Sequence, residues 1–377
     1  MKTYDVAIIG GGIIGVTIAL ELAREKLTVV VLDRQQPGRE ASWAAAGMLS
    51  PAPDSPRDLP LVPLSQRSLQ LYPEFVATIE DESGKPTGYA RSGALEIFCG
   101  ANGEADRDAT VAEHRRLGLS AEPMALQTAR QWETSIGPSA AAASWSRDEG
   151  TIEPRLLMGA VLGAAQHHGI EIRSDCEATG LLQKGERCLG LVARSEHIMA
   201  GAVVVAAGCY SAQILEASAL ASCAPTRPVR GQMLGLRSDS VRLRRVVRSH
   251  RGYLVPRADG RIVAGSTLED VGFKKQVTPA GISRVLEGAL ELCPALAEAE
   301  VQETWSGLRP GTPDDLPIIG PTEIEGLLIA TGHYRNGILL APVTARLIRT
   351  CLTRQHTDFD SQPFSPQRFA HQARAVT

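Results

Sequence analysis

Residues 4–33 admit few folds. Tyr4-Asp-Val-Ala-Ile-Ile9 reads as a buried strand and runs straight into Gly10-Gly-Gly-Ile-Ile-Gly15. An Ala/Leu-rich amphipathic stretch reaches Lys26, and a second strand, Thr28-Val-Val-Val-Leu32, ends on Asp33. Strand, glycine turn, helix and acid-tipped strand in that order form a βαβ unit that takes a dinucleotide. Gly10 allows the tight turn, Gly12 lets backbone approach a pyrophosphate, and Gly15 lets the helix pack close to the strand. The pyrophosphate would sit on free N–H groups at the helix start. Asp33 can accept a hydrogen bond from a ribose hydroxyl. This unit alone does not decide between NAD and FAD.

The rest of the composition narrows the class. At 377 residues the chain exceeds one ordinary core, so about two domains are expected. The formal net charge of -3 excludes a broadly basic nucleic-acid binder. The longest uncharged apolar run, Val6 to Leu20, is too short and glycine-rich to span a bilayer, so no transmembrane segment is expected. Met1 to Asp5 lead directly into the first strand, without a signal peptide, and Arg374 to Thr377 is not a peroxisomal tail. The seven cysteines are scattered, odd in number and without a CxxC, which predicts buried thiols in a reduced, cytoplasmic protein. The eight histidines show no metal-ligand spacing, and His167-His168 reads as a helix end.

Further along, proline blocks helix and ladder alike from Pro51 to Pro63, which reads as an ordered surface loop. Helical periods are expected over Leu64–Glu82, from Glu153-Pro154 to about His168, over Pro279–Leu292 and over Gly337–Thr350. Strands are expected at Ala94–Phe98, Glu171–Arg173, Cys176–Leu182, Leu189–Arg194, Val203–Gly208 and Leu327–Gly332, with a β-rich region over 227–266. βαβ pieces alternate with antiparallel pieces. The expected fold class is therefore α/β, a Rossmann-like dinucleotide domain interleaved with an α+β domain on an antiparallel sheet. We divide the chain into 1–82, 147–221 and 307–377 for the first domain and 83–146 and 222–306 for the second.

Three features favour a flavin. Val203 to Gly208 offers a second α/β approach to the cofactor. Ala44-Ala-Ala-Gly-Met48 supplies small residues and free N–H groups against which a planar ring could lie. Thr331-Gly-His-Tyr-Arg-Asn-Gly337 is a polar, glycine-bounded loop at a helix start, whose partial positive charge could stabilise a reduced isoalloxazine. Arg309, in Leu-Arg-Pro-Gly, reads on its own either as a structural ion pair or as a carboxylate-binding group. Asp314-Asp315 reads as solvent-facing or capping. The arginines between Arg237 and Arg251 read as a solvated β region; a partner or membrane-surface site is the weaker reading.

These segments resemble the FAD-dependent glycine oxidase/D-amino-acid oxidase family. The resemblance rests on GGGIIG (Gly10–Gly15), SWAAAGML (Ser42–Leu49), AGAVVVAAG (Ala200–Gly208) and GYLVPRADGRIVAGST (Gly252–Thr267). GLRPGTPDDLPIIG (Gly307–Gly320) and GHYRNGILLAP (Gly332–Pro342) complete it. It implies that Ile13, Ile14, Asp33 and Arg34 lie along the adenosine and pyrophosphate. Ser42, Ala46, Gly47 and Met48 would lie near the pyrophosphate and ring, with Ala178 at the adenine. His333, Tyr334, Asn336, Gly337, Ile338 and Leu339 would wrap the pyrimidine end. Arg309 would hold the substrate carboxylate through two parallel N–H donors, helped by Tyr253 and Arg335, with Leu268 lining the pocket. The implied reaction is oxidation of glycine or a related small amine, with hydride passing from Cα to flavin. O2 is the acceptor, giving H2O2, and the imine would feed thiamine thiazole synthesis. The implied partners are the small amino-acid substrate and O2, and a homo-oligomer is expected. Gly307 stands where the sarcosine-oxidase branch has its anchoring cysteine, so FAD is expected to be non-covalent. A D-amino-acid or sarcosine oxidase, or a flavoprotein subunit passing electrons to a partner or quinone, remains the alternative.

Overall fold

The computed structural model describes residues 3–194, 196–355 and 359–369. Met1-Lys2 and the tail Arg374 to Thr377 lie outside them. The opening unit forms as the glycine pattern requires. Thr3–Ile9 is a strand, Ile13–Arg24 a helix, and Val29–Leu32 a second strand parallel to the first. The helix is apolar nearly all round because it is covered nearly all round: Ile13 to Leu20 and Leu22 are buried. It packs between the sheet and the helix Gly337–Thr353.

The sheet built on this unit runs, in spatial order, Ile318–Pro321, Leu327–Thr331, Glu196–Val205, Thr3–Ile9, Val29–Leu32 and Glu171–Arg173. The inner pairings are parallel, and Ile318–Pro321 joins antiparallel. The strand expected at Val203–Gly208 stops at Val205 and is the end of a longer one. Its first half, from Glu196, pairs antiparallel with Arg187–Ala193, and its second half pairs parallel with Thr3–Ile9. Only the second half is covered on both faces, so only it reads as a continuous apolar run. Helices Val62–Ser83, Pro154–His167 and Gly337–Thr353 complete one core with Ile8, Ile18, Leu20, Tyr72 and Leu340. Each such side chain, fully buried, contributes roughly 1.5–3 kcal/mol.

The second sheet runs Glu300–Gly311, Arg227–Arg237, Arg261–Gly265, Gly252–Pro256, Val246–Ser249, Ala94–Cys99, Ala140–Ser146 and Glu122–Met124. It is antiparallel except where Val246–Ser249 meets Ala94–Cys99. Helix Pro279–Leu292 covers it, packing on Leu234, Leu254 and Ala264. That helix, expected from its period, is capped by Thr278, which accepts the Gly281 N–H at 3.2 Å, with proline next in line. Strand Ala140–Ser146 was not legible. Apart from Trp145 it is alanine and serine, which carry little strand preference, and it is held by pairing with Ala94–Cys99. Gly307 lies inside Glu300–Gly311, so the chain leaves this sheet after Gly311 rather than at 307.

Two expectations need correcting. The proline-rich stretch is not loop throughout: Pro56–Leu61 is a 3-10 turn with a Ser55/Asp58 capping box, followed directly by helix Val62–Ser83. Of the free cysteines, Cys188, Cys209 and Cys293 are buried, but Cys351 is exposed. Among the described residues no helix is long and apolar enough to cross a membrane, and no group of three His, Cys, Asp or Glu could hold a metal.

Candidate functional site

One cavity of about 1190 Å³ runs from Asp33, past the small-residue segment, to Arg309. Its first end is built by glycine. Gly10 has φ of +109°, and a Cβ there would lie 2.4 Å from the Ala206 carbonyl oxygen. A Cβ on Gly15 would lie 2.0 Å from the Gly10 carbonyl oxygen, so helix and strand meet only because that atom is missing. Gly12, Ile13 and Ile14 line the cavity, and Ser42 Oγ accepts the Ile13 N–H at 3.0 Å. Asp33 is held inward: one oxygen accepts the Gly11 N–H at 2.8 Å and the other the Gln35 N–H at 3.0 Å. Burial raises its carboxyl above the ordinary value against those N–H groups. Arg34 stacks on Tyr210, 3.6 Å from the ring centre, and pairs with Glu40 at 2.7 Å. Ala178 and Gly208 line this end too.

Ala46, Gly47 and Met48 form the middle wall, between the short helix Ala41–Ala44 and the strand Met48–Leu49. Facing them is the start of helix Gly337–Thr353. His333, Tyr334, Asn336, Gly337 and Ile338 line the cavity there. Asn336 caps this helix without a side-chain bond, and the Leu340 N–H closes the first turn on the Asn336 carbonyl at 2.8 Å. The N–H groups before Leu340 therefore lack intrahelical acceptors, as at any helix start. Leu339 is placed differently. Its side chain is in the core and its carbonyl accepts the Ser68 hydroxyl at 2.6 Å, so it does not line the cavity.

His333 is enclosed and bonded to Thr344 Oγ1 at 2.9 Å. Burial lowers its pKa from 6.5 to about 3. Between those values the unfolded chain binds the proton and the folded chain does not. Stability therefore falls as pH drops from the ordinary histidine range toward the folded value. In His333→Gln, thermal unfolding followed over that window is expected to show a shallower fall than wild type. Identical pH slopes would contradict the account.

The far end holds Arg309 and Tyr253. Arg309 lies across the second sheet, donating through Nη2 to Ser266 Oγ at 2.7 Å and through Nη1 to the Thr267 carbonyl at 3.2 Å. No acidic side chain among the described residues pairs with it. Burial lowers its pKa, the cost of holding an unneutralised guanidinium out of water. Two strand glycines make the space. A Cβ on Gly231 would lie 2.2 Å from Arg309 Nη1, and one on Gly265 would lie 2.5 Å from the Tyr253 hydroxyl. Neither glycine was singled out from the sequence, although an isolated strand glycine signals such close approach.

Arg335 lines the cavity but pairs with Asp54 at 3.0 Å, half-exposed at the rim. Leu268 is not at this end. It is 60% exposed and borders a separate small pocket with Thr267 and Arg284. Within the basic stretch Arg237, Arg242, Arg244 and Arg251 are exposed, as expected of a solvated region, but Arg245 and Arg248 turn inward. Arg248 is enclosed between Glu149 (2.6 Å) and Glu96 (3.3 Å), Arg245 meets Glu133 at 3.3 Å, and Arg251 lies 3.6 Å from both Glu287 and Glu291. Those glutamates come from distant segments, so no local signal could show the pairing. Asp314 does cap, accepting the Leu316 N–H at 3.2 Å and pairing with Arg368.

A profile of FAD dependent oxidoreductases matches residues 5–350. The chain is 37% identical to the "Bifunctional protein ThiO/ThiG" of Trichormus variabilis, over 98% of this chain but 56% of that protein. It thus spans little more than half the length of that relative. It is 32% identical to "Glycine oxidase" of Pseudomonas aeruginosa, covering 96% of this chain and 98% of the relative. The crystal structure of glycine oxidase from Geobacillus kaustophilus superposes with a TM-score of 0.92 at 30% identity, over 98% of this chain and 99% of that one. A glycine-built dinucleotide end, a helix start facing the middle wall and these full-length matches agree, and the chain belongs to the FAD dependent oxidoreductase family.

Proposed function

We propose that this chain is a glycine oxidase, oxidising glycine and related small amines with O2 as acceptor. The observation that carries the reading is Arg309: a half-buried cation without an acidic partner among the described residues, aimed into the cavity beside the Tyr253 hydroxyl. Such a charge is stabilised by a carboxylate ligand, and its fork matches one bidentately. FAD, when bound, supplies the acceptor that takes hydride from the substrate Cα and passes the electrons to O2 as H2O2. The residues present fit that cofactor. Asp33 suits the ribose, the start of helix Ile13–Arg24 suits the pyrophosphate, and the start of helix Gly337–Thr353 suits the electron-rich end of the ring.

Arg309 and Tyr253 fix the substrate by its carboxylate. The groups that Arg309 and Tyr253 themselves bond are Ser266, the Thr267 carbonyl and Met233, none of which is a base. Catalysis at this end is therefore orientation in a preorganised field rather than proton abstraction. The imine product is proposed to supply thiazole assembly, a reading supported by the likeness to the bifunctional relative. A soluble, cytoplasmic homo-oligomer is part of the proposal. The electron-transfer subunit reading drew on the Arg237–Arg251 stretch, where Arg245, Arg248 and Arg251 all face glutamates.

Peroxide release with glycine, sarcosine and D-alanine tests the reading. Turnover of glycine is expected; none with any of the three would overturn it. The flavin is expected to be non-covalent. Gly307 offers no thiol, and a Cβ there would already lie 2.5 Å from the Ala44 Cβ. Cys209, the cysteine lining the cavity among the described residues, is pushed up to about 12 by burial and is a poor nucleophile. Acid precipitation should release the yellow colour to the supernatant. Colour retained in the pellet would contradict this.

A further inference from the structure

The motif Gly252–Thr267 contributes Tyr253 to the site, but it also carries Arg257, which the reading above leaves without a role. Arg257 is buried and does not line the cavity. It reaches from the antiparallel sheet to the other domain, donating through Nη2 to the Ala46 carbonyl at 2.7 Å and through Nη1 to the Ile152 carbonyl at 3.1 Å. Its Nε lies 2.9 Å from Glu153 Oε2, an ion pair without hydrogen-bond geometry. Trp305, on strand Glu300–Gly311, does the same two residues earlier: its Nε1 donates to the Ala44 carbonyl at 3.1 Å. The next carbonyl, Gly47, accepts the Ile152 N–H at 2.8 Å.

Three carbonyls of one small-residue segment are thus drawn to groups behind the cavity wall. In a trans peptide the N–H points opposite to the C=O. Capture of the Ala46 carbonyl by Arg257 therefore turns the Gly47 N–H the other way, toward the cavity that Ala46, Gly47 and Met48 line. The strand Gly252–Pro256 carries Tyr253 near its start and ends one residue before Arg257. A single rigid element would then set both the substrate's donor and the backbone wall, and transfer over a short distance demands that precision.

We propose that Arg257, with Trp305, is a positioning residue that aims the Ala44–Met48 backbone at the flavin ring. The proposal rests on FAD occupying this cavity, as read above. The test uses Arg257→Met, Arg257→Lys and Trp305→Phe in the full chain. FAD uptake by cofactor-stripped protein, the visible flavin spectrum and the flavin midpoint potential are measured beside thermal stability. Loss of a charge-assisted bond to the wall is expected to weaken FAD binding by about tenfold or more. The spectrum and potential should move in the Met and Phe variants, with partial return in Arg257→Lys.

Folded variants with wild-type affinity, spectrum and potential would overturn the proposal, even if their melting temperatures fell, because a purely structural role predicts that pattern. Should Arg257→Met fail to fold, Trp305→Phe keeps an aromatic side chain there while removing the indole N–H, and an unchanged flavin spectrum and affinity in that variant would overturn it as well. Wild-type protein that takes up no FAD would overturn the cofactor reading itself, and the proposal with it.

Discussion

Arg309→Ala is expected to lower kcat/KM for glycine by about 100- to 1000-fold, the scale of removing one partner from a buried charge pair. FAD should stay bound, because Arg309 lies at the far end from the glycine turn and Asp33. Stability separates this account from a structural ion pair. A structural arginine leaves a stranded carboxylate when removed and costs roughly 3–5 kcal/mol. Arg309 would strand none: its protein partners are Ser266 and the Thr267 carbonyl. Its removal relieves a half-buried, unneutralised charge, so the melting temperature is expected to hold or rise while activity collapses. Arg309→Lys should recover little, since an ammonium lacks the planar fork. A variant with near-normal kinetics, or one that loses stability in step with activity, would contradict the assignment.

Gly15→Ala is the second large effect. Two terms oppose each other. Alanine favours the helix by roughly 1 kcal/mol over glycine. Against it, the new Cβ would lie 2.0 Å from the Gly10 carbonyl oxygen and 3.3 Å from Ile8 Cγ2. The first contact is with backbone, which cannot swing aside, and overpacking of this kind costs roughly 1–3 kcal/mol. Clash wins. The helix start must also shift away from Gly10, moving the N–H groups that would receive the pyrophosphate. Lower thermal stability together with weakened FAD uptake is expected. A variant as stable as wild type that binds FAD normally would show that this glycine is not needed for close packing.

What the sequence revealed follows from distance along the chain. Residues 4–33 were legible because turn, helix and acid are local and each glycine has its own steric reason. Helix Pro279–Leu292 was legible from its helical period. Strand Ala140–Ser146 was not, because its strand character comes from its partner rather than its own residues. At the site, residues in recognisable motifs fell around the cavity, from Asp33 and Gly12 to Tyr253 and Arg309. Leu268 and Leu339 did not, because a motif does not say which way a side chain turns. Arg248 looked like part of a basic surface until the fold brought Glu96 and Glu149 to it. Arg257 and Trp305 were invisible for the same reason: the carbonyls they hold belong to a distant segment of the chain.

The central claim is that Arg309 and the small-residue wall present a small amine to flavin that then returns its electrons to O2. Anaerobic addition of glycine to the yellow protein, followed by air, tests it most directly. The account predicts bleaching by glycine and rapid recolouring in air with release of peroxide. No bleaching by glycine, or bleaching that persists in air, would contradict it.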